Sequence, residues 1–156
     1  MKFHLRYYPQ HTTYSCGPVC LRMIFEHLGR NYSEEQLTSL CKAVPHHGTS
    51  HGRLIEEVER EGFAYRESSG DNLLYLIRSL NAGYLPIVNY INPISNIGHY
   101  SIVNGYDDSD GVLIFADPRN GKDFSMINEE FQKAWHNQNN TSTGWSLIIG
   151  REQIVL

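Results

Sequence analysis

The sequence contains no long apolar segment and few of the features of a secreted protein. No run of about 18 apolar residues occurs, so no transmembrane helix is predicted. The first nine residues contain no apolar stretch of signal-peptide length. Three cysteines are an odd number for a disulfide framework. These absences predict reduced thiols, no integral membrane segment and a cytoplasmic location.

Positive charge is also scarce. The 13 Lys and Arg residues are outnumbered by 17 Asp and Glu, for a net charge of −4, and they form no basic cluster. Such a chain is not expected to bind nucleic acid or an anionic membrane surface. With 156 residues, no internal repeat and no linker-like stretch, residues 1–156 are predicted to form a single domain.

Helix start and stop signals dominate the first half of the chain. Pro18 suits the first turn of a helix and Gly29 its end, while Ser33 to Gln36 form a capping box. The first helix is apolar around most of its surface, which predicts a central position. The four predicted helices begin near Cys16, Ser33, Ser50 and Asp71, and they end near Leu28, Cys41, Gly62 and Gly83.

Short β-rich runs follow the helices. The predicted strands are residues 85–91, 100–106, 112–116 and 146–150. Asp107 to Gly111 is interpreted as a hairpin loop, and Asn128 is expected to cap one more helix at 129–135. Helices first and antiparallel strands afterwards predict an α+β fold, with the N-terminal helical part packed on an antiparallel β-sheet.

A cysteine stands where the first helix begins. A thiol of ordinary pKa is only a few per cent thiolate at neutral pH, and a helix N-terminus or a nearby imidazolium lowers that pKa. Gly17 is expected to let a substrate backbone approach the sulfur. Cys16 is therefore a candidate nucleophile, although a cysteine beside an apolar helix is more commonly structural. Cys20 and Cys41 are interpreted as structural residues.

Three further side chains complete an acyl-transfer set. His99 opens a predicted strand and Asp117 closes the next, so pairing of the two strands would let the carboxylate orient the imidazole. A turn role before Pro118 is an equal alternative for Asp117. Gln10, six residues before the thiol, can donate to an oxyanion together with the Cys16 N–H, but alone it would be a solvated loop residue.

These residues together resemble the peptidase C39 family, the bacteriocin-processing peptidases of double-glycine leaders. The resemblance rests on Gln10, Cys16-Gly17, Gly98-His99-Tyr100 and Asp117-Pro118, with a Gly-Thr-Ser helix opening at Gly48. It covers about residues 8–120. It implies a papain-like cysteine protease fold and cleavage of a peptide bond, with a preference for the position after Gly-Gly in a leader peptide. No cofactor and no metal are expected.

The same resemblance assigns the site residues. Cys16 is the nucleophile, His99 the general base and acid, Asp117 the residue that orients His99, and Gln10 the oxyanion donor. Family members commonly have Asp immediately before the cysteine, where this chain has Ser15. Most studied members are domains of peptide-exporting transporters, whereas this chain has no P-loop and resembles the stand-alone branch. A peptide substrate is expected, and an exporter acting in trans is a candidate partner.

Three alternatives remain open from the residues. The domain can be a catalytically silent module that binds peptides, or a thiol acyltransferase that uses the same triad with an amine or thiol acceptor. The third is a metal site, because His46, His47 and His51 lie within six residues. Their spacing fits no standard zinc pattern, and a solvated loop is the simpler interpretation.

Overall fold

A computed structural model describes all 156 residues, Met1 to Leu156. The chain contains five α-helices and six β-strands, and three of the helices come first. In order they are α1 (Cys16–His27), α2 (Glu34–Leu40), α3 (His51–Arg60), β1 (Ala64–Ser68), α4 (Leu73–Asn81), β2 (Ile87–Ile91), β3 (Gly98–Asp107), β4 (Val112–Asp117), β5 (Gly121–Ile127), α5 (Asn128–Ala134) and β6 (Ser146–Gly150). The predicted α+β class is confirmed.

Local signals determine where the first four helices begin and end. Gly29 follows α1 with φ of 94°, a left-handed conformation that glycine adopts without strain. Ser33 and Gln36 form the predicted capping box of α2, and Ser50 accepts a hydrogen bond from the Arg53 N–H at the start of α3. The fourth helix begins later than predicted, because Asn72 is its N-cap.

The six strands form one antiparallel sheet in the order β1-β6-β2-β3-β4-β5. The C-terminal strand β6 returns between β1 and β2, which confirms the prediction that residues 146–150 join the sheet. Helix α1 packs against β3 and α2, and most of its residues are buried, as its apolar sequence predicted. Its N-terminal residue, Cys16, therefore lies against the sheet.

Two strands and one helix cap differ from the predictions. Strands β1 and β5 were not expected, because their side chains are mostly polar or exposed. Both are edge strands, and backbone pairing with one neighbour holds them in the sheet. Asn128 does not cap α5: it is the first residue of the helix, and its side chain makes no capping hydrogen bond. The N–H of Asn128 instead donates to the carbonyl of Gly111.

None of the five helices has both the length and the apolar character that crossing a membrane requires. Helix α1 and strand β3 instead bury their apolar residues in one core at the centre of the molecule. The N-terminus of α1 and the first residues of β3 meet at the edge of this core. The predicted nucleophile and the predicted base lie at that edge.

Candidate active site

Cys16 is half-buried and lines a cleft of about 680 Å3. It is the first residue of α1, and its own N–H has no acceptor within the protein. Pro18, two residues further on, has no backbone N–H, so the first turn of α1 has one fewer unpaired donor. The thiol is therefore at the positive end of the helix dipole, beside an available N–H donor.

His99 and Asp117 lie at the same end of the paired strands β3 and β4. Because Ile102 pairs with Ala116, Asp117 follows at the end of the sheet where β3 begins with Gly98 and His99. His99 Nε2 and Asp117 Oδ1 are 2.8 Å apart, and both side chains are almost completely buried. This contact agrees with the predicted juxtaposition of base and carboxylate. It leaves Nδ1 as the ring nitrogen that can interact with Cys16.

Asp117 is held by several donors besides His99. Tyr90, a fully buried tyrosine of β2, donates its hydroxyl hydrogen to Asp117 Oδ2 at 2.6 Å. The backbone N–H groups of Arg119 and Asn120 donate to Oδ1 at 3.0 and 2.8 Å. Burial acts to raise the pKa of Asp117, but these bonds and the His99 charge outweigh it and lower the pKa. The carboxyl group is thus held in its ionised form.

The thiol and the imidazole shift one another's pKa in opposite directions. Burial acts to raise the pKa of Cys16, but the hydrogen bond and charge of His99, with the backbone N–H groups of Tyr100 and Gly17, lower it. Burial acts to lower the pKa of His99, but hydrogen bonds with Asp117 and Cys16 raise it. The combination favours a thiolate–imidazolium pair, the reactive form of a nucleophilic cysteine.

Glu34 is a residue of this region that the sequence reasoning did not identify beyond its capping box. Its carboxylate is mostly buried behind the loop that leads to Cys16. Ser15 donates its hydroxyl to Glu34 Oε1 at 2.6 Å, the His11 N–H donates to the same oxygen at 2.8 Å, and His11 Nδ1 lies 2.6 Å from Oε2. Burial acts to raise the pKa of Glu34, but these bonds lower it. A carboxylate from α2 therefore contacts the residue before the cysteine.

Gln10 is near the site but its amide is partly engaged. Its Nε2 donates to the Thr12 carbonyl at 2.7 Å, which leaves the second amide hydrogen free. Its Oε1 is buried without a partner, and Gln10 does not line the cleft around the thiol. Its backbone N–H donates to the Pro118 carbonyl at 2.9 Å, so the loop before Cys16 is tied to the turn after Asp117. The structure thus brings Gln10 to the site without aiming its amide into the cleft.

The expected role of Gly17 is wrong. A Cβ at this position would lie 2.7 Å from Thr49 Cγ2 and 3.2 Å from atoms of Leu54 and Tyr100. The space beside Gly17 is therefore filled by protein side chains, not left open for a substrate backbone. Gly17 instead allows α1 to pack closely against the residues around Thr49.

An aromatic cluster lies beside the cleft, and two of its members, His51 and Tyr100, line it. The ring of His51 stacks on Trp145 with centroids 3.8 Å apart, and its Nδ1 lies 2.6 Å from the Tyr100 hydroxyl. That hydroxyl donates to the Thr49 carbonyl at 3.1 Å, so His51 Nδ1 carries the hydrogen in the bond between them. Burial lowers the pKa of His51, which keeps this ring neutral. Trp145 comes from the sequence region beyond the recognised motifs, so no local signal linked it to the site.

The remaining cysteines and histidines stay apart from this chemistry. Cys20 and Cys41 are fully buried, and burial raises the pKa of both thiols, of Cys41 to about 12. His46 and His47 are exposed at the rim of the cleft, while His51 is stacked on Trp145. No group of three or more His, Cys, Asp or Glu side chains is arranged to hold a metal ion. Cys20 and Cys41 thus have the environment of structural residues.

The helical half packed on an antiparallel sheet, with a thiol at the helix start facing an imidazole on the sheet, defines the papain-like class. Residues 4–140 match the sequence profile of the Peptidase C39 family. The chain belongs to the peptidase C39 family. This confirms the family resemblance and the papain-like fold that the resemblance implies.

Solved structures show the same likeness. The peptidase domain of Streptococcus ComA, a bi-functional ABC transporter involved in a quorum-sensing pathway, has a TM-score of 0.78 and 29% identity. The alignment covers 96% of this chain and 100% of that domain. A double glycine motif protease from an AMS/PCAT transporter, solved with its leader peptide, has a TM-score of 0.73 at 16% identity. That alignment covers 97% of this chain and 94% of the protease chain. At this level of identity the likeness shows only that the two proteins share a fold.

A curated sequence relative is much longer than this chain. Cysteine protease effector 1 of Escherichia coli O1:K1:H7 is 29% identical over 123 residues. These residues are 78% of this chain but only 22% of that protein, so this chain spans about a fifth of the relative's length. The match therefore concerns one region of a larger protein.

Proposed function

We propose that this protein is a cysteine peptidase in which Cys16 is the nucleophile, His99 the general acid and base, and Asp117 the residue that orients His99. The single observation that carries the proposal is that Cys16 and His99 line the same cleft while His99 Nε2 lies 2.8 Å from the buried Asp117 carboxylate. A buried structural cysteine has a raised pKa, as Cys20 does, whereas the pKa of Cys16 is lowered. Membership of the peptidase C39 family supports the same reaction class.

In the first half of the reaction, the Cys16 thiolate attacks the carbonyl carbon of the scissile peptide bond. The carbonyl oxygen becomes an oxyanion that accepts a hydrogen bond from the Cys16 N–H. The Gln10 amide supplies a second hydrogen bond after it turns away from the Thr12 carbonyl and into the cleft. His99, protonated at Nδ1, donates its proton to the amine nitrogen as the C–N bond breaks. The amine product leaves, and the acyl group remains on Cys16 as a thioester.

In the second half, a water molecule attacks the thioester carbonyl while His99 accepts a proton from that water. The C–S bond then breaks, which releases the carboxylic acid product and restores the thiolate–imidazolium pair. Asp117 keeps the His99 ring in one orientation throughout, because Nε2 stays bonded to its carboxylate. An amine or thiol in place of water would make the same thioester an acyl-transfer intermediate.

The proposed substrate is an extended peptide, and Gly-Gly before the scissile bond is the first sequence to test. The solved double glycine motif protease supports this choice through its shared fold. Both solved neighbours come from transporters, so an exporter acting in trans remains the proposed partner of this chain. Peptides with Gly-Gly and Ala-Ala at the same place would separate a glycine requirement from general peptidase activity.

The test is the rate of iodoacetamide alkylation against pH, measured residue by residue by mass spectrometry. Cys16 is expected to react well below the pH at which a free thiol reacts, and His99→Ala should remove that reactivity. The buried Cys20 and Cys41 serve as internal controls in the same samples. If Cys16 reacts like an ordinary thiol in both proteins, the peptidase proposal fails and the peptide-binding module becomes the better interpretation. If Cys16 does show the expected reactivity, the product masses distinguish hydrolysis, which adds water, from acyl transfer, which adds the acceptor.

A further inference from the structure

The direction in which a substrate crosses the site follows from the role of His99. In the proposed mechanism His99 protonates the leaving amine, so residues downstream of the scissile bond must lie on the His99 side of the thiol. On that side the chain turns immediately after Asp117. Arg119 and Asn120 belong to this turn, and their N–H groups donate to the carboxylate that holds His99. Of these two, Arg119 lines the cleft.

Arg119 is the only lysine or arginine among the residues that line the cleft, and none of those residues is acidic. The other lining side chains are neutral polar groups, a few apolar groups and histidines. Arg119 is exposed, and its guanidinium makes no ion pair or hydrogen bond within the protein, so it is available to a ligand in the cleft. The cleft of a protein with net charge −4 thus contains one permanent positive charge and no carboxylate to neutralise it.

The wall formed by residues 137–139 adds neutral donors. Asn137, Gln138 and Asn139 line the same cleft as Arg119. The Gly98 N–H donates to Gln138 Oε1 at 2.5 Å, which fixes the orientation of that amide and leaves its NH2 group for another acceptor. A guanidinium and free amide N–H groups are the donors that a carboxylate prefers.

We propose that Arg119 is a specificity-determining residue that recognises a carboxylate within the first three residues downstream of the scissile bond. This inference rests on the proposed function, because the direction of the substrate follows from the role of His99. The carboxylate is either an Asp or Glu side chain or the C-terminal carboxylate of a short downstream segment. Both present the same planar group to the guanidinium.

The first experiment profiles cleavage of a proteome-derived peptide library by mass spectrometry. The wild type is expected to cleave sites with Asp or Glu at downstream positions one to three about three- to tenfold more often than matched Asn or Gln sites. Arg119→Gln should remove this preference and Arg119→Glu should reverse it. Arg78→Gln, an exposed arginine of α4 outside the cleft, is the matched control. An unchanged preference in Arg119→Gln overturns the proposal.

The same library distinguishes the two sources of the carboxylate. If side chains are recognised, amidating the peptide C-termini leaves the preference intact. If the C-terminal carboxylate is recognised, amidation abolishes cleavage near the ends, and the Asp and Glu preference is absent. Since the Arg119 variants keep their backbone N–H, the hydrogen bond from residue 119 to Asp117 is retained in both.

A second experiment does not depend on peptidase activity. The rate of Cys16 alkylation is measured with iodoacetate, which carries a carboxylate, and with neutral iodoacetamide. Arg119→Glu is expected to lower the ratio of the two rates at least about twofold relative to wild type, and high salt should reduce the difference. An equal ratio in wild type, Arg119→Glu and the control Arg78→Glu overturns the role of Arg119. A changed ratio with no peptide cleavage refutes the peptidase proposal and the downstream assignment with it, but retains Arg119 as the residue that attracts a carboxylate to Cys16.

Discussion

The Tyr90 hydroxyl donates to Asp117 Oδ2 at 2.6 Å, on the oxygen that does not contact His99. A residue of β2 thus holds one side of the carboxylate while His99 occupies the other. The ring of Tyr90 packs against both Phe115 and Phe131, with centroids 5.8 and 5.9 Å away, so its hydroxyl has little freedom to move. The apolar core therefore determines the position of a carboxylate at the site.

Replacing Tyr90 with phenylalanine tests this relationship. Tyr90→Phe leaves Asp117 Oδ2 buried without its donor, which should lower the free energy of unfolding at neutral pH by about 1–3 kcal/mol. The folded protein lowers the pKa of Asp117, so the ionised carboxylate stabilises the fold above the ordinary carboxyl pKa. The difference in stability between wild type and Tyr90→Phe should therefore be full at neutral pH and vanish as pH falls through the folded-state pKa of Asp117. Urea unfolding at several pH values measures it.

Tyr106→Phe is the matched control, since the Tyr106 hydroxyl donates to Asn81 at an exposed site where water replaces it. An equal loss in both variants, or a loss for Tyr90→Phe that persists in strong acid, would contradict the role of the Tyr90–Asp117 bond.

The pH dependence of activity should report the thiolate–imidazolium pair. The pair is populated between the lowered pKa of Cys16 and the raised pKa of His99. Asp117→Ala removes the carboxylate that raises the pKa of His99, so the alkaline limb of kcat/KM should move to lower pH. We also expect kcat to fall by roughly 10²-fold or more, because the imidazole loses its orienting partner.

Asp117→Asn separates the two effects, because its amide can still orient the ring but carries no charge. It should shift the alkaline limb while it retains more of kcat than Asp117→Ala does. Asp110→Ala, in the exposed loop between β3 and β4, is the control. A profile for Asp117→Ala that coincides with that of the wild type would refute the assigned role.

Glu34 should stabilise the loop that carries Gln10 and Ser15. Glu34→Gln removes a buried charge that accepts from Ser15 and from the His11 N–H, so both stability at neutral pH and kcat should decrease, the latter by about tenfold. The pKa of Glu34 is lowered on folding, so its contribution is present above the ordinary glutamate pKa and is lost as pH falls through the lowered value.

Glu35→Gln is the control for Glu34, because Glu35 is exposed on the same helix turn. Thermal unfolding at neutral and acidic pH, together with kcat and KM, measures both variants. If the two variants behave alike, or if only KM changes, Glu34 does not position the loop.

Gln10 is expected to act only when the oxyanion forms. Gln10→Ala should lower kcat by roughly 10²- to 10³-fold with little change in KM, since the lost donor contacts the transition state and not the bound peptide. Gln132→Ala, an exposed glutamine of α5, controls for the substitution itself. Single-turnover acylation rates give the measurement. An unchanged acylation rate would show that the Gln10 amide has only a structural role, through its hydrogen bond to the Thr12 carbonyl.

Much of the fold was predictable because its signals are local. Gly29, the capping box at Ser33 and the Ser50 cap each act within one helix turn, and the structure has all three. Strands β1 and β5 were not predicted from the sequence. Both are edge strands held by backbone pairing with one neighbour, so their side chains do not alternate between apolar and polar. Asn128 was assigned as a cap because its side chain suits one, but the chain enters α5 one residue earlier.

The sequence by itself determined the family, the α+β class and the candidate set Gln10, Cys16, His99 and Asp117, because catalytic residue types stand at helix and strand ends that local signals mark. Only the tertiary structure decided which distant side chains form hydrogen bonds with these residues and their neighbours. Tyr90 reaches Asp117 across the sheet, and Glu34 reaches Ser15 from another helix. Such contacts depend on strand order and helix packing, so no spacing along the chain encodes them.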